Sequence, residues 1–229
     1  MVINEIVDYA RKFNTECLIL KVDFEKAYDS VDWSFLVYMM KRVGLCSKWI
    51  AWMKACVCGG SMSILVNGSL TEEMNIHRGL KQGDLLAPFL FLLFAEGFSG
   101  LMRNTVTLNF FEGFKMKDDG IVYSHLQYGD DTLCMGKATV ENLWTLKVNY
   151  YKSCLLGINV NLDFMEMACN FLNCSQGSFS FRYLGLPVGG NPGRVATWDP
   201  LLEQLTKRLY SWGICILASV VESSYLTQF

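Results

Sequence analysis

Residues 18–33 read LILKVDFEKAYDSVDW, and the change of character at Asp23 decides how the chain is built. Cys17 to Leu20, with Val22, is a short apolar run rich in branched side chains, which fits a buried strand and is too short for a core helix. Asp29, Ser30 and Asp32 favour turns and caps, and Trp33 to Val43 then repeats apolar residues at three and four spacing, predicting a helix. The strand therefore carries one carboxylate, Asp23, to its C-terminal end. An ionised group there has to be paired, hydrogen-bonded or bound to a cation, because burial without a partner costs on the order of several kcal/mol. Taken alone, Asp23 reads more readily as a satisfied structural carboxylate than as a functional one.

Working outward, HLQYGDDTLCMG at 125–136 places Asp130 and Asp131 between two short apolar strands. A Gly-Asp pair in that position is also an ordinary hairpin turn. Ser47 to Cys58 reads as a further helix, and Asn67-Gly68 between alternating apolar positions predicts a hairpin that ends near Arg78. Gly79 to Asp84 is a polar loop, and Leu85 to Ala95 reads as a buried helix too short to span a bilayer. Phe110 to Val122 reads as strand, Asp-Asp-Gly turn and return strand. Thr139 can cap a helix over Val140 to Leu146, only about 10 Å long. Such a helix is short for a return along a sheet to a strand at 147–151, so one sheet face is expected to lie uncovered. Thr197 can cap a last helix bearing Leu201, Leu202, Leu205 and Leu209.

Strand, helix, hairpin, helix, strand is a split βαβ arrangement of the ferredoxin-like kind, an α+β fold with an antiparallel sheet and helices on one face. It would bring Asp23 beside Asp130 and Asp131. Clustered carboxylates repel one another and call for a hard cation, for which Mg²⁺ is suited.

At 229 residues, 52% hydrophobic and 14% aromatic, the composition is that of a globular chain and excludes intrinsic disorder. The net charge of -2 is low for a protein that tracks a nucleic-acid backbone by itself. The nine cysteines sit mostly in apolar runs without zinc-site spacing, as expected in a reducing, intracellular compartment. The N-terminus has no signal-peptide layout.

Three stretches in order, KVDFEKAYDSVDW (21–33), RGLKQGDLLAPFLFLL (78–93) and HLQYGDD (125–131), resemble successive motifs of the reverse transcriptase palm. Their wording is similar to the polymerases of plant non-LTR (LINE-type) retrotransposons, and the resemblance runs from about Asn4 to about Trp212. It implies an RNA-directed DNA polymerase that uses an RNA template, a DNA primer, deoxynucleotides and Mg²⁺, with Mn²⁺ as substitute. By matched position, Asp23 and Asp130 are the main metal ligands and Asp131 the weaker third. Phe24 lies where the backbone approaches the triphosphate, and Tyr28 where a bulky side chain blocks a ribose 2′-hydroxyl. Gln82 and Gly83 match the loop that holds template and incoming nucleotide, and Lys152 in KVNYYKS matches a lysine near the phosphates. Leu85 and Gly129 depart from the proline and alanine usual at those positions.

The resemblance further implies a partial palm over 1–180, shortened near 144–147, and a post-palm connection and start of a thumb over 181–229, with incomplete fingers. Two readings follow, a working polymerase domain and a non-catalytic remnant of one. No membrane partner is expected.

Overall fold

The computed structural model describes residues 2–24, 26–116, 120–147, 153–178, 181–190, 194–199 and 201–210. They form two units, Tyr9–Gly177 and a smaller one made of residues 1–8 and 178–229. In chain order, α1 (Val2–Lys12) buries Ile3, Ile6, Val7 and Ala10 completely, which is its expected apolar face. Next come β1 (Cys17–Val22), α2 (Trp33–Arg42) and α3 (Ser47–Val57). Asp32 caps α2, its side chain accepting from the Phe35 N–H at 2.8 Å, so the turn residues after Asp23 act as their chemistry predicts.

Two nested ribbons follow, β2 (Ser61–Met62) with β5 (Met74–Asn75) and β3 (Leu65–Val66) with β4 (Ser69–Leu70). Asn67 and Gly68 both have positive φ, the signature of the type I′ turn that Asn-Gly favours. Helix α4 (Ala87–Thr107) differs from the buried segment expected over 85–95. It starts two residues later, runs twelve further, and leaves Leu85, Phe89 and Leu92 exposed, Leu85 at 88%. An apolar run alone could not tell a half-covered helix from a buried one.

β6 (Phe114–Lys115) pairs with β7 (Val122–Tyr123), and the hairpin of β8 (His125–Tyr128) and β9 (Asp131–Gly136) comes next. α5 (Val140–Thr145) is as short as expected and is capped by Thr139. The strand expected at 147–151 falls almost wholly outside the described residues, and the strand observed is β10 (Cys154–Ile158). α6 (Leu162–Leu172), β11 (Ser175–Gln176), a ribbon of β12 (Arg182–Tyr183) with β13 (Leu186–Pro187), and a 3₁₀ turn at Val195–Thr197 complete the described elements before the helical residues 201–210. Among the described residues no helix is long and apolar enough to cross a membrane.

The main sheet has the order β11-β10-β1-β9-β8. β1 lies antiparallel to both β9 and β10, and the hairpin makes β8 antiparallel to β9, while β11 joins β10 in parallel. The α+β architecture is therefore as read from the sequence, with a sheet that is antiparallel except for the β10–β11 pair.

The expected bare sheet face is not found. On one side Leu18, Leu20, Val22, Cys134 and Leu155 pack with Leu143 and Leu146 of the α5 segment and with Met165, Ala168 and Leu172 of α6. On the other, Ile19, Leu133, Met135 and Leu156 are completely buried. The correction has a physical cause: α6, capped by Asn161 and closed by Asn173 in the left-handed conformation, adds the cover that the short α5 does not. A Cβ at Gly157 would lie 2.5 Å from Met165 Sδ of α6, which packs over this glycine. In the smaller unit, the Asn4 side chain donates to Pro187 O and accepts from the Gly189 N–H, fixing the β12–β13 ribbon to the start of α1.

Candidate active site

Asp23 follows the last residue of β1, and its side chain is exposed. The last registered pair between β1 and β9 is Val22 with Thr132, so Asp23 and Asp131 stand one step beyond it on the two strands. Tyr128 pairs with Asp131, leaving Gly129 and Asp130 as a two-residue turn. Gly129 has φ +61° and Asp130 does not share the positive φ, the pattern of a type II′ turn with glycine first. Asp130 is exposed at that turn and Asp131 is half-buried beside it. Sheet register thus brings all three carboxylate-bearing residues to one end of the sheet. Among the described residues no three His, Cys, Asp or Glu side chains are gathered tightly enough to enclose a metal ion.

The donor set nevertheless suits Mg²⁺. Its atoms are all carboxylate oxygens, two of the three groups face solvent, and Mg²⁺ keeps several waters or phosphate oxygens in place of a closed protein cage.

A backbone bond holds Asp23. Its N–H donates to Ser153 Oγ at 3.0 Å, and Ser153 is completely buried. Cys154, next in the chain, has its thiol pushed up by burial, with Lys21 opposing and the Asp23 charge adding to the rise. Ser153 was not singled out in the sequence, where 130 residues separate it from Asp23.

Phe24 is half-buried and lies edge-on to Phe98 of α4, with ring centroids 6.5 Å apart. Tyr28 stacks on Phe91 of the same helix, centroids 4.7 Å apart at 22°. Its carbonyl accepts from the Leu80 N–H at 2.8 Å, while Trp33 Nε1 donates to Gly79 O at 2.7 Å. The 78–80 segment is therefore strapped along 28–33. Gly79 is required there: its φ is +96°, and a Cβ would lie 2.9 Å from Asp29 O.

Gln82 and Gly83 follow on an exposed turn, Gly83 at φ +85° with the Asp84 N–H bonded to Lys81 O. Asp84 accepts from the Leu86 N–H at 2.8 Å and so organises the start of α4, whose first turn contains Pro88, while Leu85 lies ahead of the helix. Beside this turn lies a cavity of about 560 Å³, lined in part by Trp33, Arg78, Leu80, Lys81, Leu86 and Leu90. No local signal in the sequence announced it. Lys152 lies outside the described residues, as do Asp118 and Asp119.

The sequence profile described as "Reverse transcriptase (RNA-dependent DNA polymerase)" matches residues 2–188. The chain belongs to the reverse transcriptase family. It is 25% identical over 224 residues, 92% of its length, to the Transposon TX1 uncharacterized 149 kDa protein of Xenopus laevis. Over 76 residues, 33% of its length, it is 34% identical to the uncharacterized mitochondrial protein AtMg01250 of Arabidopsis thaliana. Over 92 residues, 40% of its length, it is 28% identical to the retrovirus-related Pol polyprotein from the type-2 retrotransposable element R2DM of Drosophila melanogaster. The reverse transcriptase chain spans 17%, 62% and 9% of those three proteins, respectively. With these relatives, it is a reverse transcriptase domain of the LINE-type retroelement class.

Proposed function

We propose that this domain catalyses RNA-directed DNA synthesis at the Asp23, Asp130 and Asp131 end of the sheet, extending a DNA primer on an RNA template. The observation that carries the reading is the register that sets Asp23 against Asp131 while the two-residue turn presents Asp130 beside them. The fold around it is read as a polymerase palm with a split βαβ core, in keeping with the strand order β10-β1-β9-β8.

Asp23 and Asp130 would hold Mg²⁺, or Mn²⁺ in its place, with Asp131 as the weaker third ligand. When bound, a pair of such ions supplies activation of the primer 3′-hydroxyl and charge stabilisation of the departing pyrophosphate. The chain's own residues orient the reactants. By matched position, Tyr28, which stacks on Phe91, is assigned the exclusion of a ribose 2′-hydroxyl, and the Phe24 backbone the approach to the triphosphate. Gln82 and Gly83 present an exposed turn to the template–nucleotide pair, with Arg78 and Lys81 nearby as cations for phosphates. Lys152 is assigned the role of proton donor or charge stabiliser from its position in the sequence alone. The division into a palm over 1–180 and a post-palm connection over 181–229, plant origin and a shortened crossover belong to the same reading.

A second reading, a palm remnant that holds nucleic acid without turnover, draws support from α5, only six residues long and short for a return along the sheet. Primer extension on an RNA template with Mg²⁺ or Mn²⁺ separates the two. Extension that Asp23→Asn and Asp130→Asn each abolish supports the polymerase, and no extension by the folded chain leaves the remnant.

A further inference from the structure

One hydrogen-bonded chain between α4 and β8 has no part in holding metal or nucleotide. His125 Nδ1 lies 2.9 Å from Ser124 Oγ, and its Nε2 lies 3.1 Å from Ser99 Oγ on α4. Ser99 Oγ donates in turn to Gln127 Oε1 at 2.9 Å. Both serines are buried, and His125 and Gln127 are half-buried.

With the Gln127 oxygen facing Ser99, the donor inventory sets the protons. A carboxamide oxygen only accepts, so the single Ser99 hydroxyl hydrogen goes to Gln127. Ser99 Oγ then accepts from His125, which places the imidazole hydrogen on Nε2. Nδ1 is bare and accepts from the Ser124 hydroxyl. Every group is satisfied with the ring neutral and the Ser124 hydroxyl as donor.

The surroundings favour that form. Phe98 stands edge-on to the imidazole, centroids 6.0 Å apart. The charged groups facing it are Arg103 and Glu96, both on α4 and paired with each other. Across the sheet its registered partner is Cys134, whose thiol burial pushes up to about 12 and so keeps neutral. Burial, and then Arg103, hold His125 below its ordinary value against a weaker pull from Glu96.

His125 and Gln127 alternate along β8, so α4 grips the strand at two residues on one face, directly before Tyr128, Gly129 and Asp130. We propose that neutral His125 is a positioning residue for the Asp130 turn, locking β8 to α4 through Ser99 and Gln127, and that its protonation reorganises this lock at its Ser124 end. With both nitrogens donating, Nδ1–H meets the Ser124 hydroxyl, which must turn to accept, and a second positive charge faces Arg103. The catalytic consequence rests on the polymerase reading; the lock does not.

The test uses the full chain and two readouts. Imidazole ¹⁵N shifts recorded from roughly pH 5 to 8 report the tautomer and the titration of His125, and the Gly129 amide is followed in the same spectra. The expected result is an Nε2–H tautomer and a Gly129 signal that moves with the His125 midpoint, an inflection absent from His125→Gln. In primer extension, the acid limb of kcat follows the same midpoint, and His125→Ala lowers kcat about tenfold with KM for deoxynucleotide held. His125→Gln, which keeps one donor and one acceptor, recovers more of the rate than His125→Ala. A Gly129 amide that is stationary through the His125 titration, or that shifts identically in His125→Gln, overturns the lock. Should the wild type extend no primer, the polymerase reading falls, and the amide titration still decides the lock.

Discussion

The Asp23 N–H donates to the hydroxyl of Ser153, which lies in the interior just ahead of β10. The Ser153 carbonyl in turn accepts from both the N–H and the hydroxyl of Ser175 on β11. The candidate carboxylate is thus anchored through its backbone on the β10 side while its side chain stays free to meet substrate. Replacing Ser153 with Ala leaves a partly buried N–H without its acceptor, at about 1–3 kcal/mol. Urea unfolding is expected to show that loss, with primer extension down by about tenfold because Asp23 loses its seat. Unchanged stability would show that the bond contributes nothing.

Asp23 and Asp130 are exposed, so Asn at either position is expected to change stability by no more than about 0.5 kcal/mol. Extension should nevertheless vanish in both, and fall less in Asp131→Asn. A drop of many degrees in the melting temperature of Asp23→Asn would instead mark a structural carboxylate.

Gly79 and Gly83 share a positive φ but differ in space: Asp29 crowds the first, and nothing lies within 4 Å of the second. Gly83→Ala is therefore expected to cost about 1 kcal/mol and Gly79→Ala distinctly more, because a backbone must also move. Chemical denaturation of the pair reads the difference, and equal losses would refute the close approach.

The depressed titration of His125 has a signed effect on stability. In the unfolded chain the imidazole takes its proton near the ordinary 6.5, whereas the folded chain resists until a lower pH. Stability from this residue is present above about 6.5, is lost as pH falls from there toward the folded value, and then levels. Melting temperatures of the wild type minus those of His125→Gln should trace that descent, and a flat difference would refute it.

Asn142 is nearly fully buried and clamps the segment before β6 to the end of β9. It accepts from the Glu112 N–H at 2.7 Å and donates to Glu112 O and Lys137 O at 2.9 Å each. Asn142→Ala strands the Glu112 N–H, while Glu112 O keeps the Lys137 N–H and Lys137 O the Thr139 N–H, and is expected to cost about 1–3 kcal/mol, measured by calorimetry.

The parts of the fold legible in the sequence were those whose signals are local. Asp32 ahead of Trp33, Asn67 before Gly68, and Gly129 before Asp130 each state a cap or turn within a few residues. β10 and its cover were not legible in the same way. Gly157 interrupts its apolar run, and the reason, the approach of Met165, belongs to a helix still to come in the chain. α6 did carry a readable signal in Asn161, Asn173 and the apolar residues at 165, 168, 169 and 172. At the candidate site the carboxylates could be found from their motifs. Their setting could not: the Ser153 hydroxyl, the crowding at Gly79 and the α4–β8 chain are made by residues distant in sequence.

The two-residue turn between β8 and β9 has a bearing on how copies of such a gene decay. Because Tyr128 pairs with Asp131 and the strand beyond pairs with β1, Asp130 and Asp131 owe their positions to counting along the strands. Inserting or deleting a single codon within β9 would turn every following side chain to the opposite face of the sheet. Many in-frame substitutions there would leave the counting intact. Along a lineage, length changes in this hairpin should therefore silence a copy sooner than an equal number of point changes, even while the signature letters can still be read.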